Sequence, residues 1–311
     1  MYAIRFENLY YDKIWGGKDF KKFRCNVPKE NIGESWDVAC HKNGMSIVDN
    51  GELKGKSFKE IIEEYGEKLL GTEINKEKFP LLIKLINSNS NLSVQVHPND
   101  EYANKYEGEY GKTEAWYVID AKPGAELIVG TKNCTKKEFE KAIEEGTTEK
   151  YLNNIKVKKG DCYLINSGLV HAIGEGLIIA EIQQNSDVTY RVYDYNRGRE
   201  LHVNKALDVI DFDLKAINCS TNSIEELDGY SKILLCDNKY FRMEKYNIYK
   251  NFIDISNEKM FYVITCVDGE GKIKCNNRMD NIKKGDSYLI PATLGEYSIT
   301  GQVEIIKTYA K

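Results

Sequence analysis

Nowhere in these 311 residues do about 18 apolar positions run together, so the sequence offers no segment that would cross a bilayer as a helix. The residues after Met1 lack the charged region and apolar run of a secretory signal, which predicts a cytoplasmic protein with no membrane partner. An excess of basic residues is missing as well. The 44 Lys and Arg face 48 Asp and Glu for a net charge of −4, and the two signs interleave along the chain, which argues against nucleic acid as a partner. The eight cysteines (Cys25, Cys40, Cys134, Cys162, Cys219, Cys236, Cys266 and Cys275) include no C-x-x-C pair. That excludes the usual thiolate zinc site and redox dithiol, and leaves reduced, structural thiols.

What is present is a soluble composition, 41% hydrophobic and 30% charged, with enough apolar residues for one large or two medium domains. Short apolar or alternating runs dominate, among them Leu92-Ser-Val-Gln-Val96, Trp116-Tyr-Val-Ile119, Leu177-Ile-Ile-Ala-Glu-Ile182 and Val303-Glu-Ile-Ile306. They predict a mainly β protein. Helices are expected after the capping boxes Ser57-Phe-Lys-Glu60 and Thr135-Lys-Lys-Glu138, the second stopping at Gly146, and a third, shorter one from Asn204 to Ile210. Whether the helix at 135–145 is a lid or an edge cover stays open at this level.

An internal repeat organises the chain. Val157-Lys-Lys-Gly-Asp-Cys-Tyr-Leu-Ile165 returns as Ile282-Lys-Lys-Gly-Asp-Ser-Tyr-Leu-Ile290, and Trp116-Tyr-Val-Ile119 has a partner in Phe261-Tyr-Val-Ile264. The common order argues for a duplicated unit, with residues 1–230 as one domain and 231–311 as the other. Gly160 followed at fixed spacing by Asn166, Gly168 and His171 resembles the second cupin motif, half of a jelly-roll metal site. In the second half the ligand position holds Glu296, and the residue aligned to Glu114 is Lys259. A cation there would repel a metal, so the second barrel is expected to be metal-free.

Gln95 and His97 alternate, so on a strand both point to one face, which in a barrel is the interior. Glu114 stands before one strand and His171 after another, and four such N/O donors suit zinc or a similar divalent ion. A lone buried histidine in a barrel is more often a hydrogen-bonded core residue, and only the joint pattern favours a metal. His41 and His202 lie outside it and read as surface or locally bonded histidines.

Pro80-Leu-Leu-Ile-Lys84-Leu-Ile followed by Leu92-Ser93-Val-Gln95-Val-His97-Pro98 resembles the type I phosphomannose isomerase signature of the cupin superfamily. Lys13-Ile-Trp15-Gly-Gly17, Gly33-Glu-Ser-Trp36, Lys112-Thr-Glu114-Ala-Trp116 and Asp187-Val-Thr-Tyr-Arg191 are similar to further segments of that family. The resemblance implies two cupin barrels and interconversion of mannose 6-phosphate and fructose 6-phosphate. It further implies one zinc per chain on Gln95, His97, Glu114 and His171, and a small phosphosugar as partner.

Moving a proton between C1 and C2 through a cis-enediol needs a base, an acid and an oxyanion stabiliser. By resemblance, Arg191 serves the enediolate or a sugar hydroxyl, and Lys84, Ser93 and Lys112 surround the phosphate or the reacting end. Glu181, Asp187 and Lys112 are all candidates for the proton shuttle. Read without the family, Lys84 would be a strand-end surface lysine. Some relatives carry a histidine just before the matching lysine; here the position is Gly111, and no such role is assigned. The alternatives are a non-enzymatic phosphosugar-binding cupin and an iron cupin oxygenase, the latter disfavoured by Gln95 in a ligand place. Oligomeric state leaves no mark on the sequence.

Overall fold

Strand Leu81–Ser88 shows how the sequence builds the molecule. In the computed structural model, which describes residues 1–311, all of its residues are buried, on both faces. Leu81, Ile83 and Leu85 join the largest apolar cluster, whereas Ile86 turns into a second one with Trp116, Val118 and Ile179. A run with no polar alternation is here a strand sandwiched between two cores.

That strand belongs to a seven-stranded antiparallel sheet. Its order is Ile217–Asn218, Cys162–Ile165, Glu114–Ala121, Leu177–Gln184, Leu81–Ser88, Ile32–Val38 and Leu9–Gly17. A five-stranded sheet completes the first barrel, ordered Leu152–Lys156, Glu126–Thr131, His171–Ile173, Val94–Val96 and Tyr190–Tyr193. Both predicted capping boxes form, with Ser57 and Thr135 accepting from the N–H groups of Glu60 and Glu138. Helix Lys136–Glu144 packs Phe139 and Ile143 with Val94, Val96, Tyr190 and Val192, so it and helix Val203–Val209 cover the outer face of the five-stranded sheet. Helix Asp100–Tyr106 is one that the sequence reading did not anticipate. Its signal was Asn99, whose side chain accepts the Tyr102 N–H as an N-cap. No helix is long and apolar enough to cross a membrane.

The second barrel is a nine-stranded sheet built on two long strands, Tyr262–Cys275 and Glu296–Ala310, paired from Val263 with Thr308 to Cys275 with Tyr297. The repeated Lys-Lys-Gly-Asp segments are matching turns, with Gly160 at φ +93° and Gly285 at φ +88°. A Cβ on Gly285 would lie 2.6 Å from the Phe23 ring, whereas Gly160 faces open space.

Register corrects the alignment of the halves. Glu114 pairs with Ile165 in the first, and Ile290 pairs with Tyr262 in the second. The counterpart of Glu114 is therefore Tyr262, and the exposed Lys259 instead meets Glu73 at 2.9 Å. The sequence match placed Trp116 on Phe261, three residues out of step with the pairing, because it counted identities and not ladder partners.

The largest apolar cluster lies between the outer face of the seven-stranded sheet and the second barrel, holding Ala115, Tyr117 and Leu164 beside Val263, Cys266 and Ile305. Rings continue across it, Phe6 to Phe58, Phe58 to Phe79 and Phe79 to Phe261, at 4.7 to 5.1 Å between neighbouring centroids. Strand Ile4–Arg5 pairs with Tyr288 and Leu289, so a segment from the first residues completes the second sheet. Arg24, fully buried, bonds Ser35 and Asp37 from the first barrel and the Gly285 carbonyl from the second. Ser287 donates to the same Asp37 at 3.1 Å.

Candidate functional site

Two rows of cross-strand neighbours face each other inside the first barrel. Across the seven-stranded sheet the row runs Trp36, Lys84, Glu181, Trp116, Tyr163, each directly opposite the next. Across the five-stranded sheet it runs Arg191, Gln95, His171, Val129. Period-two alternation does the sorting: Val94 and Val96 go outward beneath the helices, which turns Ser93, Gln95 and His97 inward.

His97, Glu114 and His171 come together at the centre, all buried, with their ligand atoms within 4.8 Å of one another. The two Nε2 atoms are 3.1 Å apart, and each lies 3.5 Å from a Glu114 oxygen. The Gln95 amide reaches to 3.4 Å from His171 Nε2. Each imidazole is oriented from behind, His97 Nδ1 2.8 Å from the Val188 carbonyl and His171 Nδ1 2.8 Å from that of Leu169. With Nδ1 donating, Nε2 carries the lone pair. Burial lowers both histidines, with Lys112 acting in the same direction; His97 falls well below its usual value and His171 to about 4. Both imidazoles are thus neutral at physiological pH, the form able to bind a metal.

Both Glu114 oxygens are buried, and Oε1 has no hydrogen-bond partner. Lys112 Nζ lies 2.9 Å from one of them as an ion pair. A buried carboxylate with one oxygen left without a donor, facing two imidazole lone pairs, fits a divalent cation held by His97, Glu114 and His171.

Around this centre lie the remaining candidates. Lys84 is the mid-strand residue opposite Glu181, only 3% exposed, which overturns its reading as a surface lysine. Its Nζ stands 3.6 Å from Glu34, 3.7 Å from Glu181 and 3.8 Å from Asp187, above the Trp36 ring. Glu181 accepts from Trp116 Nε1 at 3.0 Å and lies 3.9 Å from Lys112. Burial raises its pKa and Glu114 adds to that, against the pull of Lys112 and Lys84. Arg191 donates to Ser93 Oγ at 3.2 Å and to the Glu200 carbonyl at 2.8 Å, and its N–H is bonded by His202. Glu34, Trp36 and Trp116 were not singled out from the sequence. Their signal lay in matched segments that had been read only as family likeness.

Two clefts, of about 640 and 680 Å³, lie away from the His97–Glu114–His171 cluster. The first is lined by His41, Glu109 and Asn185 among others. The barrel interior is the better site, because the orphaned carboxylate oxygen and inward cations are there.

Comparison with known proteins agrees with this geometry. Residues 3–129 match the family model for the phosphomannose isomerase type I catalytic domain, and residues 232–310 that for the mannose-6-phosphate isomerase cupin domain. Mannose-6-phosphate isomerase ManA of Bacillus subtilis is 39% identical over 311 residues, covering 98% of both chains. The chain belongs to the type I phosphomannose isomerase family. Another relative, the mannose-6-phosphate isomerase of Streptococcus mutans, is 37% identical over 98% of this chain and 97% of its own. The crystal structure of mannose 6-phosphate isomerase from Bacillus subtilis superposes with a TM-score of 0.93 at 35% identity, over 99% of each chain. A phosphomannose isomerase structure from Salmonella typhimurium, at 14% identity and a TM-score of 0.79, shares the fold. This phosphomannose isomerase family member thus keeps the two-barrel architecture and a His97–Glu114–His171 cluster able to hold a metal.

Proposed function

We propose that this protein interconverts mannose 6-phosphate and fructose 6-phosphate, with one zinc ion per chain held by Gln95, His97, Glu114 and His171. The carrying observation is the buried Glu114 carboxylate, its Oε1 left without a donor before two neutral imidazoles, one sheet row away from Glu181 and Lys84. Two imidazole nitrogens, a carboxylate and an amide oxygen are a zinc-compatible set that leaves a position for substrate. Bound there, zinc would polarise the sugar's carbonyl or hydroxyl oxygen and stabilise the oxyanion of the enediolate.

The chain's own groups supply the rest. Glu181 is the proposed base, since burial and Glu114 raise its pKa toward the range useful for proton transfer. Burial would discharge Lys112, but Glu114 and Glu181 overrule it and keep the amine protonated, suited to donate to an oxyanion or phosphate. Arg191, half-buried and always cationic, would hold the enediolate or a hydroxyl. Lys84 and Ser93 would meet the phosphate, with Asp187 setting Lys84 from the outer side. We assign the chemistry to residues 1–230 and a supporting role to 231–311. The eight free cysteines agree with a reducing, cytoplasmic setting.

A coupled assay for fructose 6-phosphate formed from mannose 6-phosphate, on zinc-replete and chelated protein, tests this reading. Turnover that disappears on chelation and returns with zinc is expected. Sugar-phosphate binding without turnover would establish the non-enzymatic alternative, and turnover surviving complete chelation would remove the metal.

A further inference from the structure

The segment between strands Leu177–Gln184 and Tyr190–Tyr193 carries two groups of the site, yet it belongs to neither strand. Asp187 faces Lys84, and the Val188 carbonyl orients His97. Gln183 Nε2, on the strand before it, holds the Ser186 carbonyl at 2.6 Å, and two other loops hold the Asp187 end. Glu109 Oε2 accepts the Asp187 N–H at 3.4 Å and His41 Nε2 at 3.2 Å, while its Oε1 meets Lys42 Nζ at 2.5 Å. Asn43 Nδ2 donates to Asp187 Oδ2 at 3.0 Å.

We propose that Glu109 is a positioning residue of the isomerase, clamping the Asp187–Val188 turn through its carboxylate and the Cys40–Asn43 hairpin, and so setting Asp187 against Lys84 and Val188 against His97. Glu109 is 12% exposed on its side chain, which shields its bonds from water. Burial opposes its ionisation, but the bonds from Lys42, His41 and the Asp187 N–H prevail and hold its pKa below the usual glutamate value. The carboxylate is thus a fixed acceptor at neutral pH. His41, outside every matched motif, acquires a use as the buried donor that keeps Glu109 aimed; it packs edge-on against Trp36, under Lys84.

This inference rests on the isomerase reading only for its kinetic part. Hydrogen exchange of the Asp187 and Val188 amides tests the clamp without activity. In Glu109→Gln both should exchange at least about tenfold faster than in the parent, because a neutral amide is a weaker acceptor and loses Lys42 and His41. Zinc content should be unchanged, and kcat should fall about tenfold with KM within about twofold. Asn43→Ala, which removes no buried charge, should lower kcat severalfold and settles the matter if Glu109→Gln does not fold. Unchanged exchange with kcat within about twofold in the folded variants would overturn the clamp. Absence of turnover in the parent would overturn the isomerase reading instead, with exchange still deciding the clamp.

Discussion

At the scale of single residues, the proposed site separates groups that would hold a metal from groups that would act on substrate. His97 and Glu114 are buried in the first set, so His97→Ala and Glu114→Ala should lose bound zinc, seen as less than about a tenth of the parent's metal content. Arg191 is anchored on Ser93 and the Glu200 carbonyl, away from that cluster. Arg191→Ala should keep its zinc and lose kcat by a factor of about a hundred or more, and Arg191→Lys should not restore it, because an ammonium cannot reproduce the planar fork. Metal analysis beside kinetics checks both, and zinc lost from Arg191→Ala would break the division.

Among elements, the unit that matters is the row across a sheet. Glu34 accepts from Trp36 Nε1 at 2.8 Å and meets Lys13 at 3.0 Å, and through Lys84 it is tied to Glu181. Burial opposes its charge, yet Lys84 and Lys13 win and hold it near 2, against an ordinary 4.5. A depressed carboxylate stabilises the fold above its unfolded pKa, and that contribution is lost as the pH falls toward its folded value. Glu34→Gln should therefore melt below the parent at neutral pH, with the gap narrowing as the pH drops below 4.5 toward 2. A constant gap would mean that packing, not charge, is responsible. Such rows also mark what the sequence could tell. Gln95, His97, Glu114 and His171 were legible because short-range alternation and motif spacing are local properties. Lys84 inside a strand, Glu34 beneath it and Tyr262 opposite Ile290 were not, since each depends on which strand lies beside which. Helix Asp100–Tyr106 was missed for a milder reason, its short, mostly polar run giving little apolar periodicity.

For the molecule as a whole, the two barrels share one core, and the duplicated turns hid this by suggesting separable halves. Phe79 stacks on Phe261 and packs edge-on against Phe58 at the centre of that shared core. Phe79→Ala should cost about 3–5 kcal/mol. Because the core is common, denaturation followed in both halves should shift together; two separated transitions would show that the barrels unfold independently. The pairing of Ile4 and Arg5 with Leu289 and Tyr288 bears on how the chain is made. A ribosome releases the first pair long before the second exists. Strand Ser287–Ile290 is therefore flanked by a segment made well before it, and until Tyr288 and Leu289 emerge that segment is held only on its other side, where Asp49 and Asn50 bond Arg5. Until then the strand edge that will meet Tyr288 and Leu289 is open to capture by other chains, a hazard that belongs to synthesis and ends when the second sheet closes.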